Sequence, residues 1–282
     1  MSRNPLPYPV VLVTGASSGI GYYCAIALKD AGYHVVATCR RQEDVDSLKS
    51  EGIDCIQMDL TRSESIQQAA KEFFTISKGN IYALFNNGAY GQPGAVEDLT
   101  RDALRAQFET NLFGWCELTN LILPTMLAQG YGRIIQNSSV LGLVAMPFRG
   151  AYVASKFALE GLTDTLRLEL KDTGVFVSLI EPGPIKSLFR KNALKALNDN
   201  IAIDHSRHKQ AYQTAIARLS KQEETSRFTQ EPSAVFARLI HALESPKPKA
   251  RYYVTFPTQL LGTLKRFIST AMLDKILAKA GA

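Results

Sequence analysis

Short apolar runs alternate with helical stretches along the first 180 residues of the chain. Runs rich in β-branched residues predict strands with both faces buried, at 10–15, 34–40, 55–60, 81–88, 132–139 and 175–183. Helical patterns fill the sequence between them, at 21–31, 63–77, 100–129 and 152–172. Because strand and helix alternate, the pattern predicts an α/β fold: a doubly wound parallel sheet of about seven strands, flanked by helices.

The pattern changes after Pro184. Residues 185–230 are polar and helix-prone without a clear strand, 231–244 predict a helix, and 251–256 predict a last strand. A long connection of this kind is typical of a substrate lid. We expect a single domain over 1–282, with a cofactor-binding and catalytic core at 9–184, a lid segment at 185–230 and an amphipathic, basic C-terminal segment at 258–282.

Composition limits the class of protein. The chain has 282 residues, 46% of them hydrophobic and 21% charged, which is typical of one globular domain. Its cysteines lack the spacing of a disulfide framework or a zinc site, so we expect no metal and a reducing, cytoplasmic location. The N-terminal apolar run is too short for a signal peptide, and no apolar stretch reaches membrane-spanning length.

Positive charge is concentrated at the end of the chain. Residues 247–282 contain seven Lys or Arg and one acidic residue, a net charge equal to the +6 of the whole chain. One helical face of the C-terminal segment carries Leu260, Leu261, Leu264, Phe267 and Ile268. This face predicts either weak peripheral contact with an anionic membrane or packing over the substrate cleft or a partner subunit. The neutral remainder carries no recognition motif for nucleic acid, so we expect no nucleic-acid partner.

A glycine-rich loop, TGASSGIG (14–21), joins the first predicted strand to the first helix. Glycines permit a sharp turn and close approach of a pyrophosphate, which the free N–H groups of a helix N-terminus bind. A glycine turn can also be purely conformational, but this position favours a dinucleotide and a Rossmann-type sheet. The predicted contacts in the loop are Gly15, Ser17, Ser18, Gly19, Ile20 and Gly21.

The end of the second strand favours NADP(H) over NAD(H). Where NAD sites carry an acidic residue, this chain has Cys39, followed by Arg40 and Arg41. Guanidinium groups bind a 2′-phosphate through charge-assisted hydrogen bonds. The alternative is two solvated arginines at a strand end.

Tyr152 and Lys156 stand four residues apart in a predicted helix and therefore share one face. The pair is either a surface contact or a catalytic one, in which the ammonium group lowers the pKa of the phenol toward neutrality.

Together with Asn86-Asn87, Asn111, Ser139 and Pro182-Gly183, these motifs resemble the short-chain dehydrogenase/reductases over about residues 9–190. Residues 138–170 are most similar to the retinol- and hydroxysteroid-dehydrogenase-like branch, with its aldehyde reductases. The resemblance implies that Tyr152 donates or accepts the proton and that Lys156 tunes it and holds the nicotinamide ribose. It also implies that Ser139 binds the substrate oxygen, that Asn111 positions a water, and that the protein forms a homodimer or homotetramer.

The resemblance implies further cofactor contacts, at Asp59, Leu60, Asn86, Gly88, Pro182, Gly183, Ile185 and Ser187. Two positions depart from the family pattern. Gly88-Ala89 stands where Ala-Gly is usual, and Ser187 replaces a frequent threonine whose hydroxyl role a serine can keep.

Apolar residues surround the catalytic motif and predict a hydrophobic substrate pocket. Its expected lining is Leu141, Val144, Met146, Phe148, Leu188 and Phe189. The sequence therefore predicts an oxidoreductase that transfers hydride between NADPH and a hydrophobic aldehyde or ketone, of aliphatic, retinoid or steroid type. The alternative is a catalytically silent NADP(H)-sensing regulator of the same fold. The presence of all four residues Asn111, Ser139, Tyr152 and Lys156 favours the enzyme.

Overall fold

One parallel sheet organises the chain. The computed structural model describes residues 9–220 and 227–280, so residues 1–8 of the predicted domain, 221–226 of the lid segment and 281–282 of the C-terminal segment lie outside the described residues. Within the described ranges, seven strands pair in the order β3-β2-β1-β4-β5-β6-β7. They are β1 (Val10–Thr14), β2 (His34–Cys39), β3 (Asp54–Gln57), β4 (Ala83–Asn86), β5 (Gly132–Asn137), β6 (Val175–Glu181) and β7 (Arg251–Tyr253). The predicted α/β fold with a doubly wound parallel sheet is confirmed.

Helices cover both faces of the sheet. They are α1 (Gly19–Asp30), α2 (Gln42–Ser50), α3 (Ser63–Ile76), α4 (Arg101–Phe108), α5 (Gly114–Gln129), α6 (Gly150–Glu169), α7 (Phe189–Asn200), α8 (Lys209–Leu219), α9 (Ser233–Glu244), α10 (Phe256–Leu264) and α11 (Thr270–Ala280). Alternate residues of β1 enter opposite cores: Val11 and Val13 pack beneath α1 and α9, whereas Leu12 packs beneath α3 and α5. Both strand faces are thus buried, which explains the unbroken apolar runs.

Three elements differ from the sequence prediction. The helix predicted at 100–129 is α4 and α5 joined by a π-helical turn, Glu109–Phe113. The C-terminal segment is not one helix, because α10 ends at Leu264 and α11 begins at Thr270, so Phe267 and Ile268 lie between two helices. Helix α2 was not predicted, because its sequence is short and mostly polar.

The C-terminal segment packs beside the loop that follows β5. Leu261 of α10 and Leu277 of α11 are buried against Val140, Leu141 and Val144, and Lys265 Nζ donates to the Leu143 carbonyl at 2.6 Å. Within the described residues, no helix has the combined length and apolar character needed to cross a membrane.

Candidate active site

The glycine-rich loop has a backbone that excludes side chains. Gly15 lies at φ +65°, and a Cβ on it would approach Gly88 Cα to 2.4 Å. A Cβ on Gly21 would stand 2.2 Å from the Gly15 carbonyl oxygen. Ser18, at the N-cap of α1, makes no side-chain capping bond, so the first-turn N–H groups are left for another acceptor. Close backbone packing and an uncapped helix N-terminus fit the pyrophosphate of a dinucleotide.

The loop meets the chain leaving β4 at the point where the strand order reverses. Thr14 Oγ1 accepts hydrogen bonds from the backbone N–H groups of Asn87 (2.8 Å) and Gly88 (3.1 Å). Asn87 Nδ2 donates to the carbonyls of Thr14 and Gly15, both at 3.1 Å. Asn86 points away from this contact, because its Nδ2 donates to Thr119 Oγ1 of α5. Of the two asparagines, Asn87 therefore shapes the loop directly.

The two arginines after β2 differ in whether their guanidinium groups are already paired with acidic side chains. Arg41 is the N-cap residue of α2, and its guanidinium binds both carboxylate oxygens of Asp44 at 2.9 and 3.0 Å and pairs with Glu43 at 2.8 Å. Arg40 is exposed and makes no ion pair with any residue that the structure describes. Of the two, Arg40 is the guanidinium available to a further phosphate.

Two residues after β3 lie on the same edge of the sheet. Asp59 Oδ1 accepts hydrogen bonds from the backbone N–H (2.9 Å) and hydroxyl (2.8 Å) of Thr61, which closes a turn. Leu60 is buried beneath Gly88 and Gly114. Leu60 therefore supports the loop from below, and the Asp59 carboxylate holds the turn.

Tyr152 and Lys156 are both buried on the inner face of α6, so the pair is not a surface contact. Lys156 Nζ donates to the Asn137 carbonyl at 2.8 Å, and it lies 4.4 Å from the Trp115 ring centroid and 5.8 Å from that of Tyr152. The carbonyl at the end of β5 and the indole of α5 therefore fix the ammonium group beside the phenol.

Burial governs the proton affinities of the pair. It raises the pKa of Tyr152 to about 12, and a hydrogen bond with Ser139 acts in the opposite direction. Burial also lowers the pKa of Lys156 to about 7, against the attraction of Glu160. The direction at the phenol is the reverse of the sequence expectation, because desolvation of the phenolate is the largest effect. At neutral pH, the phenol holds its proton.

Asn111 lies in the π-helical turn and is fully buried. Its Oδ1 accepts from the Tyr90 N–H (3.2 Å), and its Nδ2 donates to the Tyr90 carbonyl (3.0 Å) and Ser155 Oγ (3.2 Å). The side chain thus ties the loop after β4 to α6. Its predicted role in positioning a water stays a prediction.

The segment after β6 returns to the glycine-rich loop. The Pro182 carbonyl accepts the Val140 N–H at 2.8 Å, and Gly183 packs on Thr255, where a Cβ would come within 2.1 Å of the hydroxyl oxygen. Ile185 is buried and pairs with Gln230. Ser187 packs on Gly19, whose Cβ would stand 2.8 Å from the Ser187 Cβ. Of the predicted cofactor residues of this segment, Ser187 is thus the one that packs directly against the loop.

The predicted substrate residues separate into two groups. Leu141, Val144 and Met146 pack in one cluster with Tyr152, and the Phe189 ring stands edge-on to the Tyr152 ring at 5.3 Å. Leu188, next to Phe189, is half exposed. Phe148 instead packs against His208 and Tyr212 of the lid segment, at 5.3 and 5.8 Å between ring centroids.

Two residues of the site did not stand out in the sequence. They are Trp115 and Asn137, which contact the Lys156 ammonium group from elements distant in sequence. Trp115 also donates from Nε1 to the Gly88 carbonyl at 2.7 Å. One signal was available: Trp115 is the single tryptophan of the chain and stands four residues after Asn111.

Known proteins are similar to this chain in sequence and architecture. The family described as short chain dehydrogenase matches residues 9–198. The chain is 42% identical to the "uncharacterized oxidoreductase YbbO" of Escherichia coli (strain K12), covering 95% of this chain and 93% of that protein. It is 33% identical to 17-beta-hydroxysteroid dehydrogenase type 1 of Homo sapiens, covering 87% and 77%. A short-chain dehydrogenase from Streptomyces avermitilis superposes with a TM-score of 0.77 at 28% identity, covering 98% and 94%. The chain therefore belongs to the short-chain dehydrogenase family and is an oxidoreductase.

Proposed function

We propose that the protein reduces a hydrophobic aldehyde or ketone with NADPH, and that Tyr152 is the proton donor. The observation that carries this proposal is the buried Tyr152, which faces Phe189 and Ser139 while Lys156 is fixed next to it. The nicotinamide cofactor, when bound, supplies the hydride that a carbonyl carbon accepts.

The protein's own groups manage the charge that grows on the substrate oxygen. A protonated Tyr152 suits reduction, since the donor must hold its proton until the oxygen becomes basic. The Ser139 hydroxyl donates a second hydrogen bond to that oxygen, which stabilises the developing charge. The Lys156 ammonium then stabilises the phenolate that Tyr152 leaves behind. The residues that hold the dinucleotide are the glycine-rich loop, Asp59, Gly88 and the segment 182–187.

NADPH preference rests on Arg40. Since Arg41 is already paired with Asp44 and Glu43, its loss removes less of the binding to a 2′-phosphate than the loss of Arg40. We expect Arg40→Ala to lower the ratio of kcat/KM for NADPH over NADH by about tenfold or more, which corresponds to one charge-assisted contact. Arg41→Ala is the matched control, and an equal fall in both variants would contradict the assignment.

The substrate is apolar because of what surrounds the phenol. Leu141, Val144 and Phe189 present hydrocarbon, and Leu261 and Leu277 of the C-terminal segment close the same cluster. This packing supports the alternative in which the C-terminal segment covers the cleft. The similarity to a 17-beta-hydroxysteroid dehydrogenase supports a bulky, hydrophobic carbonyl compound.

Turnover tests the proposal. NADPH and NADH oxidation is measured against aliphatic aldehydes, aromatic aldehydes, retinal and ketosteroids, with Tyr152→Phe beside the wild type and Tyr131→Phe, at the opposite end of the sheet, as the control. We expect NADPH-linked reduction that Tyr152→Phe abolishes and Tyr131→Phe retains. Tight NADPH binding without turnover on any of these compounds would favour the silent NADP(H)-sensing regulator instead.

A second copy of the chain is the proposed partner of α5 and α6. Apolar side chains are exposed along these helices, at Leu121, Leu127, Phe157 and Leu168, and at Phe113 just before α5. Such a face is typical of a helical interface, and it supports the expected homodimer or homotetramer. Light scattering after size exclusion gives the mass, and we expect Leu168→Glu to lower it toward that of one chain. A wild type of one-chain mass at micromolar concentration would contradict the proposal.

Weak contact with an anionic membrane is proposed for the outer side of the C-terminal segment. Leu260, Phe267 and Met272 are exposed there beside Arg266 and Lys275, a combination that binds acidic lipid. Deletion of the segment would also remove Leu261 and Leu277 from the pocket, so Phe267→Ser is the sharper variant. We expect the wild-type protein to co-sediment with phosphatidylserine vesicles and not with phosphatidylcholine vesicles. The fraction bound to phosphatidylserine vesicles should fall in Phe267→Ser. No binding of the wild type to either vesicle would end this proposal.

A further inference from the structure

A buried cluster of charged side chains lies one helical turn beyond Lys156. Glu160 is 6% exposed and Glu181 is 0% exposed. Arg251 of β7 joins them: its Nη1 contacts Glu160 Oε2 and also donates to Glu181 Oε1 at 2.8 Å. Its Nη2 donates to Asp164 Oδ2 at 2.6 Å. Three carboxylates from α6 and β6 therefore share one guanidinium.

The cluster has more acid than base. Arg167 pairs with Asp164 at its outer edge, at 2.6 Å, and among the residues that the structure describes Arg251 is the cation that pairs with the two glutamates. Burial raises the pKa of both Glu160 and Glu181. At Glu181, which is fully enclosed, the neighbouring Glu160 carboxylate adds to the rise. Arg251 contacts both glutamates, and at Glu160 its positive charge favours the ionised carboxylate against the effect of burial.

Glu160 stands four residues after Lys156, on the same buried face of α6. The ammonium group contacts the Asn137 carbonyl and the Trp115 and Tyr152 rings, and none of these carries a full negative charge. The attraction of Glu160 acts against the desolvation that favours neutral lysine. Glu160 is also adjacent to the loop after β5, since its Oε1 would lie 2.9 Å from a Cβ on Gly142.

Titratable and charged groups face Lys156 and Glu160 from each neighbouring element. On α6 they are Tyr152, Asp164 and Arg167, and on β6 the only one described is Glu181. On β7 they are Arg251 and Tyr253, and beyond α10 Arg266 acts on Tyr253. Toward Lys156 itself, the contacting groups on β5 and α5 are uncharged. Glu160 is thus the charged group placed to act on the ammonium.

We infer that Glu160, held by Arg251, is a positioning residue that favours the protonated form of Lys156 in the buried site. The inference deepens the proposed reductase function and rests on it for its catalytic consequence. The effect of Glu160 on the protonation of Lys156 does not depend on that function, because Lys156 is already buried in the protein without substrate. A purely structural role, in which Arg251 links α6 to the last strand, would leave the charge of Lys156 unchanged.

The test measures the protonation of Lys156 directly. The full-length protein is labelled with ε-¹³C-lysine, the Lys156 signal is assigned from Lys156→Met, and its chemical shift is followed against pH. We expect Glu160→Gln to lower the midpoint by about one pH unit, as the loss of a neighbouring opposite charge requires. Glu160→Asp retains the carboxylate one methylene further back, so it should lower the midpoint less. Asp164→Asn, which touches the same guanidinium one turn further along α6, is the matched control and should leave the midpoint in place.

Two results would overturn the inference. One is a Lys156 midpoint that stays at the wild-type value in both Glu160 variants while circular dichroism shows a folded protein. The other is an equal fall in Asp164→Asn, which would assign the effect to the Arg251 cluster as a whole. If Glu160→Gln does not fold, Glu160→Asp alone decides between a lowered and an unchanged midpoint.

The pH profile of kcat connects the result to function. In the reductase, Glu160→Gln should move the alkaline limb to lower pH by about the same unit, with little change in NADPH affinity at pH 6. If the wild type turns over none of the carbonyl compounds and the Lys156 midpoint still falls in Glu160→Gln, the reductase proposal fails while this inference stands.

Discussion

Removal of one hydroxyl group should loosen the lid segment. Tyr212 of α8 is 1% exposed. Its hydroxyl donates to Asp98 Oδ2 at 2.6 Å and accepts the Ala95 N–H at 2.7 Å. Ser206 also donates to Asp98 Oδ2, at 2.7 Å. Tyr212→Phe keeps the ring in place and deletes both bonds of the hydroxyl, so it tests whether they hold the lid on the body of the protein.

The structure sets the size of the effect. A hydrogen bond to a charged group contributes about 1.5–3 kcal/mol, and a buried N–H without a partner costs about 1–3 kcal/mol. Because Ser206 still binds Asp98, we take the loss of stabilisation in Tyr212→Phe at the low end of these ranges, about 2 kcal/mol in all. This equals about a 30-fold increase in the population of the opened lid. Helix α8 packs on α7 and on the cluster around Ala95 and Phe148, so it can open without unfolding the sheet.

Amide hydrogen exchange measures this opening. Peptides covering 209–219 should exchange about 30-fold faster in Tyr212→Phe, whereas peptides covering β1 and β4 should not change. The KM for the proposed carbonyl substrate should rise in parallel. Tyr23→Phe removes an exposed hydroxyl and is the control. Unchanged exchange over 209–219 would refute the reasoning, because it would mean that the two hydrogen bonds do not hold the lid.

Three further predictions concern the cofactor loop and the buried amine. Gly21→Ala should weaken NADPH binding by at least about tenfold in calorimetry, since its Cβ meets the Gly15 carbonyl oxygen; Gly161→Ala, with open space around it, is the control. Lys156→Met should abolish turnover yet raise stability to urea. Because the pKa of Lys156 falls from 10.5 to about 7 on folding, the unfolded chain binds more protons between these values. The increase in the free energy of unfolding of Lys156→Met over the wild type is therefore largest below about pH 7 and shrinks by up to ~1.4 kcal/mol per pH unit toward pH 10.5. An increase that does not change with pH would contradict this prediction. Trp115→Phe should lower NADPH affinity severalfold in the same calorimetry because Gly88 loses its indole donor, and unchanged affinity would show that this bond does not shape the site.

The sheet and the glycine-rich loop could be predicted from the sequence because their signals are local. A strand buried on both faces must be apolar throughout, and the turn after β1 needs glycine where a Cβ would strike the neighbouring backbone. The Tyr152 and Lys156 pair is local for the same reason, since a helix places residues four apart on one face. What these residues touch across the sheet, such as the Asn137 carbonyl, is set by the register of distant strands.

Tertiary contacts explain the parts that could not be predicted. The break between α10 and α11 carries neither glycine nor proline; it accompanies the burial of Leu261 and Leu277 on one cluster and the bond from Lys265 to the Leu143 carbonyl. Nothing in the letters ETNLF marks the π-helical turn around Asn111, whose side chain is held by the loop after β4 and by α6. The sequence shows two adjacent arginines as equals, and only the start of α2 reveals that Arg41 is already paired.

Helix α6 connects the candidate chemistry to the edge of the fold. Tyr152, Lys156, Glu160 and Asp164 recur at intervals of four residues and span about 18 Å along the helix. The first three are buried, so each needs a partner from another element: Ser139 for the phenol, Asn137 for the ammonium and Arg251 for the carboxylate. Because Arg251 comes from the last strand, the charge environment of Tyr152 and Lys156 is complete only when β7 has joined β6. A fold that ended at Pro182 would keep the tyrosine and the lysine but would lack the counter-charge of Glu160, and a buried carboxylate that loses its partner costs about 3–5 kcal/mol.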